Sequence, residues 1–242
     1  EISECLVGSE MCIRDSDIPK LTNNIDNKPM KCLHIITPVK DSIDSTLETV
    51  KAIMESDILV PFTYTVYNDF STEENTHRLE EAARQWNFRL VNLSDLTDHP
   101  SPNYLLVLQT AQKEAIEADA GLLIVESDVI VKKNTLQSLY NGALQQKQCG
   151  IAAAVTTDEK GIINYPYLHA KGHENQVYPE KKHCSFCCSL LTPGLLKAFD
   201  FQTLDPSKNW YDVTISHESL KRGFQNYLFT TLPVWHLSLI HI

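Results

Sequence analysis

A short apolar run that ends in two closely spaced acids constrains the fold of this chain most strongly. Residues 122–125 are apolar without interruption, which is typical of a strand that is buried on both faces of a sheet. Glu126 and Asp128 follow directly, and a second apolar run occupies 129–131. A helical pattern begins after Asn134, a residue suited to cap a helix N-terminus. The pattern predicts a central strand of an α/β sheet with two carboxylates at its C-terminal end.

The position of these carboxylates predicts a metal and diphosphate site. Open α/β sheets bind ligands at the carboxyl ends of their strands. Mg²⁺ and Mn²⁺ prefer oxygen ligands and share them with phosphates. An acid-x-acid triplet alone would more often be a solvated turn, but the strand before it and the capped helix after it favour binding. We therefore expect a divalent metal, Mn²⁺ or Mg²⁺, near Glu126 and Asp128.

The two ends of the chain differ in character from the rest. Residues 1–16 and 237–242 resemble translated linker sequence of the kind found at the ends of metagenomic reading frames. A secretory signal is not expected, because acids occupy the N-terminal stretch that would have to be basic. We expect 1–16 to be a non-native leader, 17–30 a flexible segment, and 237–242 a non-native tail.

Charge and composition exclude several classes of partner. The formal net charge of −10 argues against nucleic acid, or an anionic membrane surface, as the main partner. Apolar residues make up 43% of the chain, an ordinary globular value. The sequence contains no run of about 18 apolar residues, so it predicts no transmembrane segment.

The cysteines predict a reducing environment. Beyond the leader they are Cys32, Cys149, Cys184, Cys187 and Cys188. An odd number without a secretory signal predicts reduced thiols and a cytoplasmic protein, with peripheral attachment at the inner membrane face left open. Cys184 and Cys187 follow His169 and His173, which would also suit zinc. The apolar context at 186–191 instead favours a buried strand with cysteines in the core.

Strand and helix patterns alternate along the first part of the chain. Apolar and β-branched runs predict strands at 32–39, 62–67, 88–93 and 122–125. Helical spacing of apolar residues predicts helices at 45–54, 74–86, 104–118 and 135–146. Repeated β-α-β units of this size predict an α/β fold, a mainly parallel sheet with helices on both faces.

The remainder of the chain is less regular. Strands are predicted at 150–156, 184–191 and 224–230, and a further run at 232–236 closes the chain. Helices are predicted at 194–199, opened by Pro193, and at 212–222, ended by Gly223. Residues 158–182 form a polar connection of roughly 25 residues, longer than an ordinary loop, which favours a functional loop or lid.

Five motifs, in order, resemble family 2 glycosyltransferases of the Rossmann-like GT-A fold, over about 33–236. Ile-Ile-Thr-Pro-Val-Lys-Asp at 35–41 resembles the opening strand of the family, and 67–72 its acidic turn. Ile-Val-Glu-Ser-Asp-Val-Ile-Val at 124–131 resembles its Asp-x-Asp segment. The helix at 210–224 resembles its Glu-Asp helix, and Val-Trp-His at 234–236 its terminal histidine. No single motif is specific, but their order and spacing together are.

The resemblance implies a role for each matched residue. Asp69 would contact the nucleotide base, and Asp128 would bind the metal. Glu126 would contact the ribose, or the metal through water, and His236 would complete the metal shell. Asp212 would be the catalytic base, kept ionised by the dipole of its helix. The other residues placed against the substrate are Pro38, Val39, Ser127, Trp210 and Tyr211.

Plain structural roles stay open for three of these residues. Asp69 could close an Asx-turn before the next helix. Asp212 could be a helix-start acid favoured by the dipole, and His236 a packed terminal histidine.

Three departures from the family pattern bear on the identity of the donor. Asn68 replaces an acid, and Tyr211 replaces a glutamate. The usual Asn and Gly before the central strand are missing, and Gln109 and Gln112 stand there instead.

The resemblance implies a bacterial enzyme of glycan biosynthesis with one catalytic domain, residues 31–236. The implied reaction is an inverting, metal-dependent sugar transfer from a nucleoside diphosphate-sugar to a hydroxyl of a glycan or lipid-linked glycan. A nucleotidyltransferase is one alternative, although the segment after the first strand, 37–44, lacks the glycines that class usually shows. A non-catalytic nucleotide- or carbohydrate-binding domain is the other.

Overall fold

Nine strands form one sheet within residues 30–237, the part of the chain that the computed structural model describes. The predicted leader 1–16, and nearly all of 17–30 and 237–242, lie outside the described residues. The strands are β1 (Leu33–Val39), β2 (Phe62–Asn68), β3 (Arg89–Asn92), β4 (Gly121–Val125), β5 (Val129–Ile130), β6 (Cys149–Thr157), β7 (Val177–Pro179), β8 (Cys188–Leu191) and β9 (Gln225–His236).

Six α-helices connect these strands within the same range. They are α1 (Ile43–Met54), α2 (Glu73–Trp86), α3 (Tyr104–Glu117), α4 (Thr135–Gln145), α5 (Pro193–Ala198) and α6 (Tyr211–Lys221). The Thr72 side chain caps α2 by accepting a hydrogen bond from the backbone N–H of Asn75. Gly223 follows α6 with φ of +85°, a conformation that glycine adopts without strain. Among the described helices, none is long and apolar enough to cross a membrane.

The sheet has a parallel half and a mixed half. Its spatial order is β3-β2-β1-β4-β8-β6-β9-β5, and β7 also pairs with β9. The pairs among β3, β2, β1 and β4 are parallel, as is the pair of β6 with β9. β8 runs antiparallel to β4 and β6, and both β5 and β7 run antiparallel to β9. The α/β prediction is confirmed, and the parallel pairing it assumed holds mainly for the first half.

Helices cover both faces of the sheet, as predicted. One face packs against α1, α2 and α4, and the other packs against α3, α5 and α6. Along β4, Leu123 and Val125 point into the first layer, whereas Leu122 and Ile124 point into the second. The strand is therefore buried on both sides, which explains its unbroken apolar run.

Three strands of the second half differ from the sequence prediction. β8 covers only the end of the predicted strand at 184–191. The two runs predicted at 224–230 and 232–236 form one strand, β9, whose register with β6 shifts between Ala154 and Val155. β7 was not predicted, and it lies inside the long connection 158–182. This connection is tied to β9, because the Thr230 hydroxyl donates to the carbonyl of His173 at 2.6 Å.

The topology brings several strand ends to one edge of the sheet. β2, β1 and β4 are parallel neighbours, so the residues that follow them, including Asp69 and Glu126, lie at the same edge. The end of β9 reaches this edge by pairing with β5, in a register that sets Val129 opposite His236. Residues distant in sequence can therefore form one site here.

The packing of α4 on β9 gives a stability test that does not involve this edge. Gly142 of α4 lies against the Phe229 ring, and a Cβ at position 142 would come within 2.7 Å of the ring atom Cζ. Overpacking costs about 1–3 kcal/mol, and the helix propensity of alanine returns about 1 kcal/mol. Because two atoms of the ring would lie closer than 3.0 Å, we expect a cost near the upper end, so Gly142→Ala should lower the free energy of unfolding by about 2 kcal/mol in urea denaturation.

Gln145→Ala, at an exposed position of the same helix, is the matched control. Its free energy of unfolding should differ from that of the wild type by less than about 0.5 kcal/mol. Equal stability of Gly142→Ala and the wild type would contradict the close approach of α4 to β9.

Candidate metal and substrate site

A tight turn at the end of β4 carries the two acids of the predicted metal site. The backbone N–H of Glu126 donates to the carbonyl of Cys187 at 3.0 Å, and that of Val129 donates to the carbonyl of Glu126 at 3.2 Å. The carbonyl of Asp128 accepts from the N–H of Leu237 at 2.8 Å. The backbone of the turn is therefore held from both sides, by the segment before β8 and by the residue after β9.

The structure brings His236 next to Asp128. The ring nitrogen Nε2 of His236 is 3.3 Å from Oδ2 of Asp128. Burial lowers the pKa of His236, but the hydrogen bond and charge of Asp128, together with the charge of Glu126, outweigh burial and raise this pKa above its ordinary value. The carboxylate oxygens of Asp128 and the ring nitrogen of His236 are donors that suit a divalent cation such as Mn²⁺.

A cysteine that the sequence placed in the core lies against Glu126. The Cys187 thiol donates to Oε2 of Glu126 at 3.3 Å, and the Ser185 hydroxyl is 3.2 Å from the same sulfur. Glu126, Cys187 and His236 each offer a ligand atom, and these three atoms all lie within 4.8 Å of one another. Burial raises the pKa of Glu126, the thiol hydrogen bond lowers it, and the charge of Asp128 raises it further, so the net shift is upward.

Tyr104, in the first turn of α3, is a site residue that the sequence analysis missed. Its hydroxyl is buried and has no hydrogen-bond partner among the described residues. Burial raises the pKa of Tyr104, and the charges of Glu126, Asp212 and Cys187 raise it further. The hydroxyl therefore lies near both the carboxylate turn and α6. An unpaired buried hydroxyl costs about 1–3 kcal/mol, a cost that a ligand atom could relieve by accepting its hydrogen bond.

Asp212, the predicted catalytic base, is the second residue of α6. Its Oδ1 accepts from the backbone N–H of Val213 at 2.8 Å. Burial raises the pKa of Asp212, while this hydrogen bond and the charge of His183 lower it, and burial prevails. The helix dipole is expected to lower the pKa of an acid at a helix start, and here burial outweighs that effect. A carboxylate with a raised pKa accepts a proton more readily than an ordinary aspartate does.

The two aromatics before Asp212 have different environments. Trp210 is 74% exposed, whereas Tyr211 is 7% exposed and its ring centroid lies 6.3 Å from that of Tyr104. The two tyrosines border a cavity of about 630 Å³, a volume typical of small-molecule sites. The cavity lies between the start of α3 and the segment before α6, and its lining also includes His99, Pro102, Leu105 and Pro206.

Asp69 fixes the loop that leads into α3. Its Oδ2 accepts from the Ser101 hydroxyl and from the backbone N–H of Asn103, both at 2.8 Å, and its Oδ1 accepts from the Asn103 side chain at 2.8 Å. The turn after β2 is instead closed by Asn68, whose side-chain oxygen accepts from the N–H of Ser71 at 3.2 Å. Asn68 therefore takes the turn-closing role that was an alternative for Asp69, through a hydrogen bond three residues along the chain rather than the two of an Asx-turn.

The other predicted substrate residues lie at the same edge of the sheet. Pro38 and Val39 end β1, and the carbonyl of Val39 accepts from the N–H of Asp69 at 2.8 Å. Ser127 is half-buried between the two acids of the turn.

Gln109 and Gln112, which stand where the resembled family has Asn and Gly, have packing roles. The Gln112 amide donates to the carbonyls of Leu196 and Phe199 at 2.9 and 2.6 Å, and its oxygen accepts from the N–H of Phe201 at 2.8 Å. Gln109 donates to the carbonyl of Phe201 at 3.2 Å. Both side chains therefore join α3 to the end of α5 and the turn after it.

No protein-family model matches the chain, and no curated protein matches its sequence. Solved structures match its fold. S. aureus TarS 1-349 superposes with a TM-score of 0.64 at 17% identity, over 85% of this chain and 60% of that one. The mannosyltransferase PcManGT from Pyrobaculum calidifontis, in complex with GDP-Man and Mn²⁺, gives 0.62 at 13% identity, over 88% and 58%. GalNAc-T7 with UDP, GalNAc and Mn²⁺ gives 0.63 at 11% identity, over 86% and 44%.

These similarities identify the fold. The described residues form a mixed, curled α/β sheet with helices, and this is the GT-A-like glycosyltransferase fold that the sequence predicted. This chain spans 60%, 58% and 44% of the three chains that it matches.

The unpaired hydroxyl of Tyr104 can be tested by its effect on stability. Tyr104→Phe removes a buried group that has no partner among the described residues, so the free energy of unfolding should stay the same or rise by about 1 kcal/mol. The measurement is urea denaturation of the protein without ligand.

Tyr167→Phe is the matched control for this test. Its hydroxyl accepts from the backbone N–H of Ser185 at 2.8 Å, so the change leaves a buried donor unpaired. It should lower the free energy of unfolding by about 1–3 kcal/mol. If Tyr104→Phe were destabilised to the same degree, the hydroxyl of Tyr104 would have a partner in the free protein.

Proposed function

We propose that this chain, within residues 31–236, is a family 2 glycosyltransferase. It transfers a sugar, with inversion, from a nucleoside diphosphate-sugar to a hydroxyl of a glycan or lipid-linked glycan, and it requires a divalent metal. One observation carries the proposal: Glu126, Asp128 and His236 meet at the carboxyl edge of a GT-A-like sheet, near a third carboxylate, Asp212. Asp212 is close enough for its charge to raise the pKa of Glu126.

The structures of similar fold support the choice of ligands. PcManGT was solved with GDP-Man and Mn²⁺, and GalNAc-T7 with UDP, GalNAc and Mn²⁺. A nucleoside diphosphate-sugar presents two phosphates that a metal can bridge. We therefore assign the same class of donor, and Mn²⁺ or Mg²⁺, to this chain as part of the proposal.

The donor atoms at the turn fit such a metal. Asp128 and Glu126 offer carboxylate oxygens, and His236 offers an imidazole nitrogen, a set that first-row divalent ions accept. Bound there, the metal would neutralise charge that develops on the diphosphate as it leaves the sugar. The half-buried position of Glu126 and Asp128 limits competition from water, which strengthens their electrostatic interactions.

The remaining steps fall to side chains of the chain itself. Asp212 would remove the proton from the acceptor hydroxyl, whose oxygen then attacks the anomeric carbon opposite the leaving diphosphate. Displacement from that side inverts the anomeric centre. The Tyr104 hydroxyl would donate to a phosphate or sugar oxygen of the donor, which its unpaired state favours. Because burial raises the pKa of Asp212, the rate should fall at a higher pH than for an ordinary aspartate base as the solution is acidified.

A screen of nucleotide sugars by thermal shift, with and without Mn²⁺, tests the proposed donor class. A ligand at about 100 times its Kd stabilises the native state by about 2.7 kcal/mol, so a true donor raises Tm clearly. The stabilising donor then enters a turnover assay with glycan and lipid-linked acceptors. Release of pyrophosphate from a nucleoside triphosphate and a sugar phosphate would indicate a nucleotidyltransferase instead, and binding without turnover would indicate a binding domain.

Removal of Asp128 tests the metal site. We expect Asp128→Ala to abolish the Mn²⁺-dependent part of nucleoside diphosphate affinity, measured by calorimetry, and Glu126→Ala to weaken it less. The loss should exceed the roughly 10–100-fold that removing an outer hydrogen-bond partner of a metal ligand costs. Asp57→Ala, which removes an exposed acid that is not among the proposed ligands, is the control and should bind like the wild type. Equal affinity of wild type and Asp128→Ala in Mn²⁺ would refute the metal assignment.

The catalytic role of Asp212 has its own test. Asp212→Asn keeps the side-chain shape and removes the proton acceptor, so turnover should fall by roughly 10²–10⁴-fold. Affinity for the nucleoside diphosphate should stay nearly unchanged. His217→Gln, on an exposed face of the same helix, is the control and should retain turnover. Survival of turnover in Asp212→Asn would place the base elsewhere, and a collapse of affinity would make Asp212 a binding residue.

A further inference from the structure

We infer that Cys187 is a ligand of the proposed metal site and that this site therefore selects Zn²⁺ or Co²⁺ over Mg²⁺. The inference rests on the metal site of the proposed function, adds a fourth ligand to it, and replaces Mg²⁺ as its preferred ion. A thiolate, an imidazole and carboxylate oxygens together form a donor set typical of zinc, whereas Mg²⁺ takes oxygen ligands.

The position of the sulfur supports direct coordination. Sγ of Cys187 is 3.3 Å from Oε2 of Glu126, and the ligand atoms of Glu126, Cys187 and His236 lie within 4.8 Å of one another. Tetrahedral zinc binds sulfur at about 2.3 Å and histidine nitrogen at about 2.0–2.1 Å, which sets these two atoms about 3.6 Å apart. A closure of at most about 1.2 Å between the sulfur and the nitrogen therefore suffices. Asp128, 3.3 Å from His236, supplies a further oxygen.

The fold holds the thiol at this position. β8 pairs with β4 in a register that sets Cys188 opposite Val125, so Cys187 lies beside Glu126, which directly follows β4. The carbonyl of Cys187 accepts from the N–H of Glu126 at 3.0 Å, and Ser185 contacts the sulfur at 3.2 Å. Little side-chain entropy remains to be lost when an ion binds.

Cys187 differs from its buried neighbour in what its sulfur contacts. Cys187 and Cys188 are both buried and belong to the same apolar cluster. The sulfur of Cys187, however, also contacts a carboxylate and a hydroxyl. Apolar packing alone would favour an aliphatic side chain beside Glu126. A thiol at this point is explained by coordination.

The bond changes balance without a redox partner. As the sulfur–metal bond forms, sulfur supplies both electrons, and the thiol proton passes to solvent. The hydrogen bond from the thiol to Glu126 is lost, and the carboxylate oxygen it occupied becomes available to the ion. No oxidant or reductant is needed.

Cobalt titration of the full chain tests the inference by spectroscopy. Co²⁺ bound through a thiolate shows an intense sulfur-to-metal charge-transfer band in the near ultraviolet, in addition to its weaker visible bands. We expect this band in the wild type and in Cys188→Ser, and its loss in Cys187→Ser and Cys187→Ala. Zn²⁺ should displace Co²⁺ from the wild type, whereas an excess of Mg²⁺ should not.

The competition between Zn²⁺ and Co²⁺ also measures how much Cys187 contributes to Zn²⁺ affinity. Loss of a direct ligand should weaken Zn²⁺ binding by more than the roughly 10–100-fold typical of an outer hydrogen-bond partner. Cys187→Ser should therefore bind Zn²⁺ at least about 100-fold more weakly, while its Mn²⁺ affinity stays close to that of the wild type.

The outcomes separate this inference from the proposed function. The wild type could show the visible cobalt bands but no charge-transfer band, and Asp128→Ala could abolish those visible bands. That result would support the metal site and exclude Cys187 as a ligand. A charge-transfer band that persists in Cys187→Ser would also exclude it, because the sulfur would belong to another cysteine. Failure of both Co²⁺ and Mn²⁺ to bind the wild type would overturn the metal site itself.

Discussion

The antiparallel pairing of β8 with β4 determines what surrounds the carboxylate turn. Because β8 runs against β4, its first residue lies opposite Val125, and the chain just before it crosses the end of β4. A parallel β8 would bring its last residues, near Leu191, to this edge instead. Cys187 would then lie at the opposite edge, and an aliphatic side chain would adjoin Glu126. His236 reaches this edge in another way, because β9 runs in the same direction as β4 and its last residue lies opposite Val129 of β5. The antiparallel β8 thus adds a sulfur donor to acids and an imidazole that strand direction alone brings to this edge.

Much of the fold follows from local patterns. The apolar run before Glu126, the proline that opens α5 and the glycine after α6 are all readable from a few neighbouring residues, and these elements lie close to their predicted bounds. Asn134 occupies the predicted N-cap position of α4, but its side chain makes no capping hydrogen bond. β7 escaped prediction because its three residues, Val177–Pro179, are a strand only through pairing with β9. The predicted strand at 184–191 was too long for a similar reason, since only its last four residues pair with β4 and β6.

Site residues that directly follow a strand could be predicted from the sequence. Site residues that depend on contacts between elements distant in the chain could not. Asp69, Glu126 and Asp128 follow strands, so a sequence pattern suffices to bring them to one edge of the sheet. Tyr104 lacks such a signal, because its hydroxyl reaches the acids only through the packing of α3 against α6. The upward shift of the pKa of Asp212 was also not predictable. The sequence shows that Asp212 starts a helix, but it does not show that its side chain is buried.

The burial of Cys187 has a consequence for the chemical durability of the protein. Electrophiles and peroxides attack thiols that solvent can reach, and Cys187 is only 4% exposed. Cys32 is the more accessible thiol, since it is half-buried just before β1, beyond the strand end opposite to the site. Among the cysteines within residues 30–237, oxidative damage or alkylation would begin there, far from the carboxylate turn. The protein could therefore carry a modified cysteine over much of its lifetime while the groups proposed to bind metal and donor stay intact.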